Sequence, residues 1–180
     1  NTCEMTVTVI DNEAPEIEVC LDQNAPNVFS ETMLMVNNIG GACETFVNIP
    51  QPIVADNCGN TTFINDFNNT ADASDSYPVG ITTVTWTVSD EQGNTATCSI
   101  EVFVNDTEAP ILTCPADIIV TTDPTICAAS VNTAFVTVPM PTATDNCGNL
   151  ELINSYNQTN DASDEYPVGI TVVTWSTIDN

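Results

Sequence analysis

The chain has 180 residues, of which 25 are acidic and none is Lys, Arg or His. The lack of cationic side chains excludes the usual phosphate contacts of nucleic-acid binding and docking on anionic membranes. With 42% hydrophobic residues a folded core is expected, but the apolar runs are too short for membrane insertion, and without His or Lys we expect no enzyme and no required cofactor.

The predicted elements are short strands joined by tight loops. Thr2–Ile10 alternates apolar and polar side chains, which is the pattern of a half-buried strand. Strand patterns are also clear at Ile81–Ser89 and Cys98–Val104, while Asp56–Asn60 and Asp90–Asn94 have the Asp, Asn and Gly content of tight loops. Because helical periodicity is weak everywhere, the sequence predicts an all-β protein.

One module occurs twice in the chain. Tyr77–Trp86 and Tyr166–Trp175 are identical at nine of ten positions, and Asp56-Asn-Cys-Gly-Asn60 recurs as Asp145-Asn-Cys-Gly-Asn149. The period at this loop is 145 − 56 = 89 residues. That length fits an immunoglobulin-like β-sandwich of about seven strands, with the tryptophans in the core.

The repeat is out of phase with the chain. A strand at Thr97–Asp106 closes the first copy, and its counterpart Thr2–Asp11 stands at the front. We therefore expect residues 1–10 to be the terminal strand of a preceding module, residues 11–105 a first sandwich, and residues 106–180 a second sandwich that lacks its last strand. Such an arrangement favours a head-to-tail fibre.

These motifs together resemble the hyalin repeat (HYR) family. The matching residues are Asp106–Pro110, Cys114-Pro115, Cys127, Asp145–Gly148, Tyr166–Gly169, Val173–Trp175 and Asp90–Cys98. The resemblance implies tandem immunoglobulin-like modules, an extracellular or cell-surface location, a role in adhesion or surface architecture, and no catalysis. The first copy departs from the family pattern, because Leu21 rather than Pro follows Cys20.

Eight cysteines, with four per module, indicate disulfides formed in an oxidising compartment. Four cysteines allow three connectivities, and the sequence alone does not choose among them. In such a sandwich the Asp-Asn-Cys loop and the loop before Cys98 lie at one pole, which favours four pairs: Cys58–Cys98, Cys20–Cys43, Cys114–Cys127, and Cys147 with Cys3 of an adjacent copy.

Acidic residues cluster near the linkers between modules. By analogy with inter-domain calcium sites in other proteins, they are candidate calcium ligands. Ca²⁺ takes six to eight oxygen ligands, often from Asp and Glu in loops. The candidate ligands are Asp11, Glu13, Asp106, Glu108, Asp56 and Asp145. The alternative is a solvated acidic surface in which the Asp side chains cap loops.

Covalent glycans are a further possibility that the sequence leaves open. Asn-x-Ser/Thr occurs at Asn60, Asn68, Asn105 and Asn157. Asn68 and Asn157 hold equivalent positions in the two copies, so they are the first candidates.

Two functions are compatible with these observations. The first is a structural subunit or repeat unit of an extracellular filament, whose partners are copies of itself joined by strand completion and disulfides. It is either one long polypeptide or separate subunits that each lend residues 2–10. The alternative is a surface adhesin that binds a glycan or a protein. An insertion at Asn24–Gly41 would favour adhesion if it protruded as a loop.

Overall fold

A computed structural model describes residues 2–121, 133–148 and 150–178, which form fifteen strands and no helix. Within these residues nothing resembles a long apolar helix capable of crossing a membrane. The chain divides into two compact units, Asn1–Thr107 and Glu108–Asn180. Each unit is described by itself.

The first unit holds nine strands. They are β1 (Glu16–Val19), β2 (Val28–Ser30), β3 (Met33–Asn37), β4 (Glu44–Val47), β5 (Ile53–Ala55), β6 (Thr62–Asn65), β7 (Asp75–Pro78), β8 (Gly80–Ser89) and β9 (Thr95–Asn105). A five-stranded sheet has the order β2-β3-β9-β8-β6, and two further pairs are β1–β5 and β4–β7. All pairs are antiparallel except β3 with β9.

The core of the first unit lies between these sheets. Along β8 the buried residues alternate with outward ones, so that Val84 and Trp86 are fully buried, and β9 buries Val102 and Val104 in the same way. Tyr77 of β7 enters the same cluster from the other layer. The strands predicted at residues 81–89 and 98–104 are therefore confirmed, as is a core position for the tryptophan.

A tyrosine fastens the turn before β7. The Tyr77 hydroxyl donates a hydrogen bond to the Ala73 carbonyl at 2.7 Å, and its ring stacks on Phe67 with centroids 4.2 Å apart. Desolvation, followed by the charge of Asp75, raises the pKa of Tyr77, so the hydroxyl remains a donor. This back-bonded tyrosine resembles the tyrosine corner of immunoglobulin-like sandwiches.

The segment Asn24–Gly41 is not a protruding loop. It supplies β2 and β3, and β3 runs parallel to β9 from Met33 opposite Glu101 to Asn37 opposite Asn105. Leu34 is fully buried in the core. The insertion therefore extends the sheet of its own module. It is not the protruding loop that would have favoured the adhesin hypothesis.

The described residues of the second unit form six strands in three antiparallel pairs. They are β10 (Ile111–Thr113), β11 (Thr133–Val136), β12 (Thr142–Thr144), β13 (Glu151–Asn154), β14 (Asp164–Pro167) and β15 (Trp175–Ile178). The pairs are β10–β12, β11–β14 and β13–β15, and Val136, Ala162 and Trp175 are buried. Tyr166 repeats the bond of Tyr77, donating to the Ala162 carbonyl at 2.6 Å. The prediction of all-β, immunoglobulin-like modules is confirmed.

The cysteine pairing in the first unit differs from the one predicted. A disulfide joins Cys20 to Cys98, with their Cα atoms 5.9 Å apart. The predicted pairs Cys58–Cys98 and Cys20–Cys43 are therefore wrong. Cys98 lies within β9, opposite Trp86, and not in the loop at the pole of the sandwich. From this position it faces the end of β1, which belongs to the other layer. The predicted pair Cys114–Cys127 includes Cys127, which lies outside the described residues.

Candidate functional site

Three carboxylates converge at one end of the first unit. One oxygen each from Asp11, Asp56 and Asp90 lies within 4.8 Å of the other two. Asp11 Oδ1 accepts a hydrogen bond from the Glu13 backbone at 3.1 Å, whereas Asp11 Oδ2 is buried without a hydrogen-bond partner among the described residues. Closely spaced, partly buried oxygens are the ligands that hard cations prefer.

The strand pairing explains why distant residues meet here. Asp11 precedes β1 and Asp56 follows β5, and these strands pair antiparallel with Glu16 opposite Ala55. Asp90 directly follows β8 in the turn to β9. The start of one strand and the ends of two others thus share one pole of the unit.

The turn at Asp90 is rigidly hydrogen-bonded. Asp90 Oδ1 accepts from the backbone of Gln92 at 2.9 Å and of Asn94 at 2.8 Å, and Oδ2 accepts from Asn94 Nδ2 at 2.7 Å. Desolvation opposes ionisation, but hydrogen bonds led by those of Asn94 outweigh it and lower the pKa of Asp90. The group is therefore charged at neutral pH, although it is only 7% exposed.

Other groups around the cluster complete its electrostatics. Asp56 Oδ1 accepts from the Cys58 backbone at 3.0 Å. Partial desolvation, and then the charge of Asp11, raises the pKa of the Cys58 thiol. Glu13 accepts a hydrogen bond from Asn57 and so lies on the rim. In the described residues nearby there is no cationic side chain to neutralise this charge, because the sequence contains none.

The structure thus brings together some of the predicted calcium ligands. Asp11 and Asp56 meet, and they are joined by Asp90, which lies in the tight loop before Cys98 and was not among the predicted ligands. Asp106 belongs to the first unit, where it accepts from Asn38 at 2.8 Å. Glu108 is the first residue of the second unit, to which Asp145 also belongs. Asp145 Oδ1 accepts a hydrogen bond from the Cys147 backbone at 2.8 Å. Its Oδ2 is a second buried carboxylate oxygen without a hydrogen-bond partner among the described residues.

The asparagines of two candidate glycosylation motifs hold the loop after β6 and its counterpart after β13. Asn68 Nδ2 donates to the Asp72 carbonyl at 3.0 Å and to Asp75 at 3.4 Å, and its Oδ1 accepts from Asn65 at 2.8 Å. Asn157 repeats this pattern in the second unit with the Asp161 carbonyl at 2.9 Å. A glycan on these nitrogens would compete with loop hydrogen bonds.

The other two motifs lie at different places. Asn60 is exposed and its Nδ2 donates to Glu91 at 3.1 Å, whereas Asn105 ends β9 and donates to Asn37 at 3.3 Å. Glycosylation at all four asparagines remains a prediction.

An apolar segment at the front of the chain is exposed. Residues 2–10 form no strand, and Met5, Val7 and Val9 are 83%, 73% and 91% exposed. Their equivalents in β9 are Ile100, Val102 and Val104, which are at most 1% exposed. The same pattern is therefore core in one place and solvent-facing in the other.

A matching edge lies in the second unit. Residues 170–174 form no strand and Val173 is only half-buried, whereas their equivalents, residues 81–85, pair with β9 in the first unit and include the fully buried Val84. In the first unit this sequence pairs with β9 as one strand of a hairpin. In the second unit, among the described residues, no strand is hydrogen-bonded to it.

Comparison with known proteins accounts for this repeated sandwich. The family model described as HYR domain matches residues 11–104 and again residues 105–180. The chain belongs to the HYR domain family. Curated relatives include hyalin of Lytechinus variegatus, 37% identical over 76% of this chain, and hyalin of Strongylocentrotus purpuratus, 37% identical over 70% of it.

The aligned region covers only 24% and 10% of the lengths of those two hyalins. The first HYR match covers β1–β8 and all of β9 except its last residue, and the second covers β10–β15. Residues 2–10 lie outside both matched ranges, although they carry the pattern of the strand that closes the first HYR module.

Proposed function

We propose that this chain is a structural component of an extracellular filament, in which HYR modules follow one another head to tail by strand completion. Residues 2–10 supply the last strand of a sandwich whose neighbouring strand is formed by residues 169–178 of another copy. The proposal gives the chain no catalytic role. Its eight cysteines and the Cys20–Cys98 bond suit an oxidising environment outside the cell.

One observation carries the proposal: side chains that are buried in β9 are exposed at the equivalent positions of residues 2–10. A solvated edge with alternating apolar residues is a template for pairing with another strand. Burying such a Val or Met side chain contributes about 1.5–3 kcal/mol. Three of them on one face therefore supply a substantial driving force, and the contact is of the non-closing kind that generates filaments.

The first unit also supplies the register. In it Gly80 of β8 lies opposite Val104 of β9, and Val84 lies opposite Ile100. Transferred to the equivalent positions, the same register places Gly169 opposite Val9 and Val173 opposite Met5. Met5, Val7 and Val9 of the donated strand then face the core of the receiving sandwich, as their equivalents Ile100, Val102 and Val104 do in the first unit.

Replacement of Val7 by Glu is expected to abolish assembly, because a charge would enter the core at the position of the fully buried Val102. Thr6→Glu is the matched control. It adds the same charge, but on the outward face, where the equivalent residue is itself Glu101. Electron microscopy of filaments and sedimentation of the two variants provide the measurement.

Neither variant should alter the fold of the first unit, because residues 2–10 contribute no strand to it. Circular dichroism checks this directly. Equal filament formation by the Val7→Glu and Thr6→Glu variants would show that residues 2–10 do not enter a sandwich, and the proposal would fail.

A denaturing, reducing gel of native filaments distinguishes the two ways of building them. A band near the 19.2 kDa mass of the chain is expected for separate subunits, whereas very high mass indicates one continuous polypeptide. In the continuous case the same strand pairing occurs between consecutive modules of one chain.

We also propose that Asp11, Asp56 and Asp90 bind Ca²⁺. Support comes from three oxygens within 4.8 Å of one another and from the buried, unpartnered Oδ2 of Asp11. Three carboxylates supply three to six of the six to eight oxygens that Ca²⁺ takes, and water supplies the others. A cation would also offset the mutual repulsion of these charges.

Millimolar CaCl₂ is expected to raise the melting temperature of the first unit more than NaCl or MgCl₂ at equal ionic strength. The matched salts matter because a chain with 25 acids and no bases gains from screening by any salt. Asp56→Asn should remove the Ca²⁺-specific part, and Glu44→Gln, an exposed charge on β4, should retain it. Equal shifts with all three salts would contradict a calcium site.

A further inference from the structure

We infer that Cys3 of one copy forms a disulfide with Cys114 of the next, so that the donated strand is covalently locked in register. The inference rests on the proposed strand completion and specifies its chemistry. It replaces the predicted pair of Cys3 with Cys147, which depended on the pairing Cys58–Cys98 that the first unit does not have.

The first step is the bond already present in the first unit. Cys20 follows β1, Cys98 lies in β9, and the disulfide between them joins the layer of β1 and β5 to the five-stranded sheet. Cys98 stands opposite Trp86 in the β8–β9 register. The disulfide partner of the cysteine in β9 is therefore the cysteine that follows β1.

The second step places Cys114 where Cys20 lies. In the first unit Glu16 pairs with Ala55 and Val19 with Ile53. In the second unit Ile111 pairs with Thr144 and Thr113 with Thr142, and these partners are displaced by the same 89 residues as the module repeat. Cys20 and Cys114 are each the residue that directly follows the strand.

The third step places Cys3 where Cys98 lies. Thr2-Cys3 is equivalent to Thr97-Cys98, and the register of β8 and β9 sets Cys3 opposite Trp175, as Cys98 lies opposite Trp86. Both Cys3 and Cys114 are exposed thiols in this chain, so each is accessible before assembly.

The chemistry is a two-electron oxidation. The two thiols lose two protons and two electrons to a disulfide donor such as oxidised glutathione, which becomes two glutathione thiols while the Cys3–Cys114 bond forms. Entry of residues 2–10 into the sandwich holds the sulfur of Cys3 beside Cys114, so the register favours this bond over the other pairings of Cys3.

Peptide mapping of the oxidised 180-residue chain tests this. Trypsin has no site, but a protease that cleaves before Asp separates the relevant cysteines into residues 1–10, 106–116, 123–144 and 145–160. After oxidation with glutathione we expect residues 1–10 linked to residues 106–116. Linkage of residues 1–10 to either of the other two peptides would overturn the inference.

Variants supply an independent measurement. Cys3→Ser and Cys114→Ser should each remove the ladder of linked chains from a non-reducing gel, while Cys147→Ser, the matched control, should keep it. The Cys20–Cys98 peptide link in each variant checks that the first unit is folded. Loss of the ladder in Cys147→Ser, with retention in Cys114→Ser, would contradict the inference.

The test separates the covalent bond from the proposed function. Filaments that form from wild-type chain without a Cys3–Cys114 bond would overturn the inference and leave strand completion standing. Absence of both filaments and the linked peptide would overturn both. Filaments that persist in Cys3→Ser, but dissociate more readily than wild type on dilution, are the result we expect.

Discussion

Cys20→Ser is expected to lower the free energy of unfolding of the first unit by about 4 kcal/mol, because the bond to Cys98 closes a long loop in the unfolded chain. The bonded residues are separated by 78 positions, and the bond joins the two layers of the sandwich. Urea denaturation of the wild type and the variant, followed by tryptophan fluorescence of Trp86, provides the measurement.

The internal control is a mutant cycle on the same bond. Cys98→Ser and the double variant should lose the same free energy as Cys20→Ser, because either substitution already opens the loop. Additive losses would contradict the pairing, since they would mean that the two cysteines stabilise the fold separately.

Asn65→Ala is expected to cost about 3 kcal/mol, because each buried group left without its partner costs about 1–3 kcal/mol. Asn65 is 1% exposed. Its Nδ2 donates to Asn68 and to the Thr70 carbonyl, and its Oδ1 accepts from the backbones of Phe67 and Asn68, all within 2.7–3.0 Å. One side chain thus provides hydrogen-bond partners for several polar groups of the loop that follows β6.

Asn60→Ala is the matched control, since it removes an exposed asparagine with one hydrogen bond to Glu91. We expect its effect to lie within about 0.5 kcal/mol of zero, as is usual for surface positions. Thermal and urea unfolding of both variants give the comparison. Similar losses for Asn60→Ala and Asn65→Ala would refute the role assigned to the buried amide.

The buried asparagine illustrates what the repeat signals and what it leaves out. Asn154 makes the same four side-chain bonds in the second unit, again within 2.7–3.0 Å. The sequence drew attention to Asn68 and Asn157 as glycosylation motifs, and it did not distinguish Asn65 from other polar residues. Burial of an amide depends on what packs over it, and no local pattern records that.

The sequence by itself determined the all-β class, the two modules and their equivalent positions, because alternation along a strand and repeated loop motifs are local properties. The tertiary structure alone decided that Cys98 pairs with Cys20, that Asp90 joins Asp11 and Asp56, and that residues 24–41 extend a sheet. These outcomes depend on which strands lie side by side or face each other across the sandwich. Such contacts join residues that are far apart in the chain, and the local alternation of side chains does not reveal which distant residues meet.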